Sequence, residues 1–331
     1  MAISSHRERR GIGGRVWSWT RRRSRWVMGV KVTALSGGVG GARMLRGFAA
    51  LEDVELTAIV NVGDDDVIYG LHVSPDIDTV IYTLAGQEGL AGWGVRDDTV
   101  AVMTALDRFP IDTWFRIGDM DFATNLFRTA RLQAGWTLSQ VTTAEAAVYG
   151  VEATVLPASD DRIRTQVHVP GEGWLPFQNY FVDRQHMSPV DDVRFVGVES
   201  ARPAPGVLEA IEDADLVVIG PSNPPLSIWP ILAIPDVADA VMEARRVVAV
   251  SPLIGGRALK GPADKVMEGL GLPSGTAGVI AAYEGLLDEI VIDPVDAADT
   301  ELDLGVEIRV LPTRITDPEA AATLASRLLE E

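Results

Sequence analysis

Residues 30–51 read "VKVTALSGGVGGARMLRGFAAL". An apolar, β-branched run passes through four closely spaced glycines into a segment with Met44, Leu45, Phe48 and Leu51 at helical spacing. A strand, a tight turn and a helix in that order are the opening of a parallel sheet, because a parallel neighbour needs a crossover. The next run, "LTAIVNV" (56–62), supplies that neighbour.

The late chain returns to the same grammar. "DLVVIG" (215–220) and "RRVVAVSP" (245–252) read as buried strands, each ending in a polar or glycine-bearing turn. "DPEAAATLASRLLEE" closes as a helix, with Asp317 as N-cap and Pro318 at the first helical position. Between them, residues 97–149 read mainly as helix, with "TLSQ" (137–140) matching a capping box, and 151–200 mix short strands with Gly, Pro and aromatics. The expected fold is therefore α/β: a Rossmann-like three-layer sandwich with a mainly parallel sheet. Residues 28–331 form the main domain, and 97–200 an inserted, largely helical subdomain over the sheet.

Residues 1–27 hold eight Arg against one Glu, although the whole chain has a formal charge of −18. That stretch lacks helical periodicity and a clear apolar segment, so it is expected to be a disordered tail or to precede the true start at Val27 or Met28. A basic binding arm is the alternative. The acidic body argues against nucleic acid as the partner, since phosphate neutralisation needs clustered Lys and Arg. No apolar run is long enough to span a membrane. The chain has no cysteine, which excludes disulfides and thiolate metal sites and fits a cytoplasmic protein.

In open α/β sheets, ligands bind beyond the carboxyl ends of the strands. Four turns follow predicted strands: "SGGVGG", "NVGDDD", "GPSNPP" and "SPLIGG". In the first, Gly37, Gly38, Val39, Gly40 and Gly41 form a loop whose N–H groups and following helix favour an anion. It is neither a Walker A loop, lacking Gly-Lys-Ser/Thr, nor a dinucleotide fingerprint, which would need glycine where Arg43 stands. A ligand-free tight turn is the bland alternative. In the second, Asp64, Asp65 and Asp66 precede Asp76 and Asp78 of "SPDIDTVIY". So many carboxylates so close need solvent or a cation, and Mg²⁺ is commonly held by one or two carboxylates plus substrate phosphates. A solvated acidic turn with Asp78 capping a helix is the other reading. Arg96, in "GWGVRDDT", offers a phosphate or carboxylate clamp or a surface pair with Asp97 or Asp98. Ser222 and Asn223 offer hydrogen bonds to a base or phosphate, or simple turn chemistry. The four histidines show no metal-ligand spacing, though His72 lies between the acidic clusters.

Taken in order, the segments "LSGGVGGARML", "VNVGDDDVIYGLHVSPDIDTVIYTL", "WGVRDDT", "RIGDMDFATNLFRTARLQAGWTLSQVT", "LPASDDRIRTQV", "FQNYFV", "IGPSNPPLSIWPILAIP" and "VVAVSPLIGGRALKGPADKVM" resemble the transferases of coenzyme F-420 biosynthesis. These are called CofD in archaea and FbiA in mycobacteria. The resemblance implies transfer of a phospholactyl or phosphoenolpyruvyl group from its guanosine diphosphate adduct to the terminal ribityl hydroxyl of the 8-hydroxy-5-deazaflavin Fo. The products are GMP and (dehydro) coenzyme F-420-0. By motif match, it implies Asp65 and Asp78 as catalytic metal ligands for Mg²⁺, with Ca²⁺ or Mn²⁺ able to replace it. Asp65, Arg96 and Trp93 then lie near Fo, with Met120 a weaker match. The glycine loop, Ser222 and Asn223 would form the guanosine diphosphate site. A homodimer is expected, and lengthening of the coenzyme's tail is expected to be another protein's work.

The same resemblance reaches non-catalytic, nucleotide-sugar-binding relatives of the YvcK type. Those carry "DDGGSSG"-like and "PPGD"-like runs where this chain has "DDDVIYG" and "SPDIDT". The residues therefore favour the transferase. A dehydrogenase ranks third, because the dinucleotide fingerprint is broken.

Overall fold

The computed structural model describes residues 29–330. The basic stretch 1–27, expected to be a tail, lies outside the described residues.

Seven strands form one fully parallel sheet: β1 (Val30–Ser36), β2 (Val54–Val60), β3 (Thr154–Pro157), β4 (Leu216–Ile219), β5 (Val247–Val250), β6 (Glu289–Ile292) and β7 (Glu307–Val310). Their order is β7-β6-β5-β4-β1-β2-β3. The chain runs outward from β1 to β3, then returns to the other side of β1 with β4. The crevice between β1 and β4 is thus a topological switch point, where doubly wound sheets bind ligands.

Helices cover both faces, and β1 records this through its alternation. The Thr33 hydroxyl donates to the Ala210 carbonyl at 2.6 Å, within the helix Val207–Glu212. Ser36, odd-to-even from Thr33 and so on the opposite face, lies against Gly41 of helix α1 (Gly38–Ala49). Helix α2 (Pro75–Leu84) and the C-terminal helix Pro318–Leu328 pack on α1. Strands covered twice must be apolar throughout, which is why "LVVI" of β4 and "VVAV" of β5 are buried at every position. The capping box at Thr137–Gln140 and the Asp317 cap are both formed.

Residues 97–200 make two excursions from this sheet. The first is helical: Ala101–Leu106, α3 (Asp119–Gln133) and α4 (Leu138–Val148). The chain then returns to the sheet, because Thr154–Pro157 pairs with Thr57–Val60 of β2. The second excursion is an antiparallel sheet in which Arg164–Val169 lies between Gly173–Pro176 and Asp192–Val196. Alternating burial along Arg164–Val169 marks it as a strand with one covered face. No helix among the described residues is long and apolar enough to cross a membrane.

Candidate active site

All four turns singled out in the sequence converge at the carboxyl ends of β1, β2, β4 and β5, around a cavity of about 880 Å³. Gly38, Asp64, Ser222 and Ser251 contribute one lining residue from each turn.

The glycine loop is drawn tightly against its neighbours. Gly38 has φ +65°, a conformation that costs L side chains and not glycine. A Cβ on Gly40 would collide with the Pro221 carbonyl, and one on Gly41 with the Ser36 and Ser222 hydroxyls. Ser222 Oγ donates to the Gly37 carbonyl at 2.7 Å and accepts the Gly37 N–H at 3.2 Å. Ser222 therefore locks two turns together rather than standing free. Asn223 caps its own segment, its Oδ1 accepting the Leu226 N–H at 3.2 Å. Gly37, Gly38, Val39 and Gly40 line the cavity, while Gly41 packs beneath them.

The acidic cluster is buried, not a solvated turn. Asp64, Asp65, Asp76 and Asp78 are each less than a tenth exposed. Asp76 Oδ1 accepts the Gly38 N–H at 2.6 Å, and its Oδ2 accepts from Asn61 Nδ2 at 2.9 Å. The same Asn61 nitrogen lies 3.3 Å from Asp64 Oδ1. Asp65 Oδ2 accepts from the Ser74 hydroxyl at 2.8 Å, whereas its Oδ1 has no partner. Burial pushes Asp65 up to about 7 and Asp76 up to about 6. Asp64 also rises well above its usual value, through burial first and then repulsion from Asp76 and Asp65.

Asp78 is differently placed. The fully buried Arg128 of α3 grips both its oxygens, one at 3.1 Å, and also reaches Glu145 of α4 at 3.1 Å. Bidentate pairing is the strong form of such a contact. Asp78 is therefore neither a helix cap nor a free ligand: Ser74 occupies the N-cap of α2, and Asp78 sits in its first turn. Nearby, Tyr82 donates to Asp121 at 2.9 Å. Burial, ahead of repulsion from Asp78, lifts Asp121 to about 7. Glu145 rises to about 7 as well, because burial outweighs its attraction to Arg128.

Among the described residues no three His, Asp or Glu side chains form a ready cation cage. The donor chemistry still fits a hard cation that completes its shell from a phosphorylated ligand. The unpartnered Asp65 oxygen is a free acceptor, and Asp64, Asp65 and Asp76 are crowded carboxylates that a cation would relieve.

Part of the cavity wall is aromatic. Trp93, Trp114, Phe115, Phe177 and Phe181 line it, with Phe177 stacked on Phe181 at 5.3 Å between centroids. Trp93 meets Phe181 edge-on at 6.4 Å, and Lys260 Nζ lies 5.6 Å from the Trp93 ring centroid. Met120, Phe122 and Trp136 lie outside this lining. So does Arg96, whose half-exposed guanidinium faces Glu88 at 3.9 Å, although Val95 and Asp98 beside it line the cavity. His72 is also outside. Sequence reasoning gave no role to Arg128, Asp121, Phe181 or Lys260. All four do stand in segments quoted for their family resemblance, which was the available signal.

The arrangement is that of a doubly wound α/β protein with a ligand cleft at its switch point, lined by both an anion-compatible glycine loop and aromatic side chains. A family profile described as "2-phospho-L-lactate transferase CofD" matches residues 32–316, and the chain belongs to that family. It is a transferase with a phospho-transfer role in coenzyme F-420 biosynthesis. A phosphoenolpyruvate transferase from Streptomyces griseus is 43% identical over 313 residues, spanning 91% of this chain and 98% of that one. The protein of the same name from Mycobacterium tuberculosis is 40% identical over 322 residues, spanning 89% and 96%. A UPF0052-family crystal structure from Bacillus halodurans shares the fold, with a TM-score of 0.62 at 19% identity, covering 91% of this chain and 99% of that one.

Proposed function

We propose that this transferase joins a three-carbon phospho-acid, presented as its guanosine diphosphate adduct, to the ribityl hydroxyl of Fo. GMP is released and a phosphodiester remains. The carrying observation is that one 880 Å³ cavity spans the glycine loop and the aromatic wall. Phosphoryl transfer needs alignment and charge neutralisation more than a covalent nucleophile, and no nucleophile–base pair is required of the cavity.

In this reading the guanosine diphosphate lies along Gly37–Gly41, with Ser222 and Asn223 fixing the facing turn. The planar ring system of Fo packs against the wall formed by Trp93 and the Phe177–Phe181 pair. Asp65, whose proton affinity is raised by burial, receives the proton of the attacking hydroxyl on its ionised carboxylate. Arg96 joins the acceptor only by turning from Glu88. Asp65, supported by Asp64, would hold a Mg²⁺ ion (or Ca²⁺ or Mn²⁺), and Asp78 would steady the site through Arg128. When bound, the ion neutralises phosphate charge.

Supplying Fo, Mg²⁺ and each synthetic guanosine adduct, then weighing the product, tests this function. The expected result is (dehydro) F-420-0 with stoichiometric GMP from the enolpyruvyl adduct, the name borne by the Streptomyces and Mycobacterium relatives. Absence of transfer with tight binding of a nucleotide-sugar would replace it with a binding role.

A further inference from the structure

The motif "LPASDDRIRTQV" has no part in the site described so far, yet the fold brings it there. Arg162, Arg164 and Thr165 line a second, smaller pocket of about 120 Å³ with Asp65, Gln166 and Gln178. It adjoins the large cavity at Asp64, Phe177 and Gln178, which line both. The placement is fixed by backbone: the Thr165 N–H donates to the Gly63 carbonyl at 2.7 Å, pinning the antiparallel sheet to the turn after β2.

Three polar atoms around this pocket have no partner: Asp65 Oδ1, Arg164 Nε and Thr165 Oγ1. Thr165 is only 2% exposed and Asp65 only 8%. Buried donors and acceptors are normally satisfied, so orphans gathered at one pocket point to a missing polar ligand. Arg164 Nη1 donates to the Ile163 carbonyl at 2.7 Å and its guanidinium faces Asp66 at 4.0 Å, while its Nε is left without a partner.

We propose that this pocket seats the three-carbon acid of the donor, with Arg164 taking its carboxylate and Thr165 donating to it. The inference rests on the transferase reading above. Size supports it: at about 30 Å³ of liquid per water, 120 Å³ holds the equivalent of about four waters. A three-carbon acid fits that space, whereas a nucleoside or a fused ring system would extend out of it into the larger cavity. Asp64, Asp65 and Asp66 share the lining with Arg162 and Arg164, so a carboxylate would be held by direct guanidinium contact and not by a net positive field. Guanidinium is the side chain of choice for planar, bidentate carboxylate recognition. Connection is supplied by the polar track Gly38–Asp76–Asn61–Asp64, which runs from the glycine loop to the pocket's edge. A donor with its guanosine at the loop would then reach Arg164 with its acid. Donor selectivity would then be set by the pocket wall around Thr165 and Gln166.

The test compares binding of the guanosine diphospho-enolpyruvate adduct, its carboxylate methyl ester, and GDP, by calorimetry with Mg²⁺ present. Wild type should bind the free acid at least tenfold more tightly than the ester. Arg164→Met should lose that preference while its affinities for GDP and Fo stay within twofold of wild type. Thr165→Val, which keeps the shape and removes the hydroxyl, should raise the KM for the donor without changing the KM for Fo. If Arg164→Met keeps the acid-over-ester preference, or weakens GDP and Fo equally, the subsite is wrong while the transferase reading stands. Wild type binding neither GDP nor the adduct would overturn both.

Discussion

Asp76 accepts the Gly38 backbone N–H at 2.6 Å, placing a buried carboxylate at the N-terminus of α1 where a phosphate would approach. Helix N-termini favour anions, so Asp76 stabilises the ligand-free loop and also competes with phosphate charge. Asp76→Asn should keep the bond from the Gly38 N–H, lose the one from Asn61 Nδ2, and reduce that repulsion. Its GDP affinity in excess chelator should rise severalfold over wild type, shrinking the benefit of Mg²⁺. A fall in chelator, read by titration calorimetry, would contradict this account.

Asp65 and Asp78 should respond oppositely to neutralisation. Asp78→Asn removes the bidentate partner of the fully buried Arg128, and breaking a buried pair costs about 3 kcal/mol. Asp65 has one hydrogen bond and an unpartnered oxygen, so Asp65→Asn should fold at least as stably as wild type at pH 8. Both variants should lose transfer. Urea denaturation beside a turnover assay separates the two effects.

The buried carboxylates also set a pH dependence. Asp65, Asp121 and Glu145 sit at about 7 and Asp76 at about 6, all above the values of an unfolded chain. Between about pH 4 and pH 7 the native state therefore holds protons that the unfolded state has released. Their contribution to stability is largest on the acid side, falls as pH rises through 6 to 7, and levels off above. The urea midpoint of metal-free protein should be lower at pH 8 than at about pH 5.5. Because a cation needs the ionised carboxylates, added Mg²⁺ should raise the midpoint more at pH 8. A cation effect that is largest at the acid pH would refute this.

Trp93 and Arg96 share a turn and face different ways. Trp93→Ala should weaken Fo, titrated by its fluorescence, by tenfold or more, because a deazaflavin loses an aromatic wall. Arg96→Ala should change it by less than about threefold, since Arg96 lies outside the cavity lining and faces Glu88 instead. Equal losses would mean that Arg96 turns inward on binding.

Local pattern was enough for much of this protein. The β-branched run 30–36, the glycines after it and the helical spacing of Met44, Leu45 and Phe48 encode a strand, a turn and a helix through short-range sterics and apolar periodicity alone. The Thr137 box and Asp317 cap are equally local, each a hydrogen bond three residues long. Even the convergence of four turns was legible, because a parallel sheet puts all carboxyl ends on one edge. Partner choice was not. Nothing near Asp78 in sequence announces Arg128, fifty residues later, and nothing in "IRTQV" reveals that Thr165 bonds to Gly63. Those pairings exist only because α3 is laid against the short strand Leu71–Val73, just ahead of α2, and an antiparallel sheet is folded back onto the turn after β2. Burial then converts an acidic run, which in isolation would be solvated, into carboxylates with raised proton affinity and unfilled oxygens. Sequence determined the scaffold and the chemical inventory; tertiary packing decided which carboxylate is neutralised from within and which is left for a ligand.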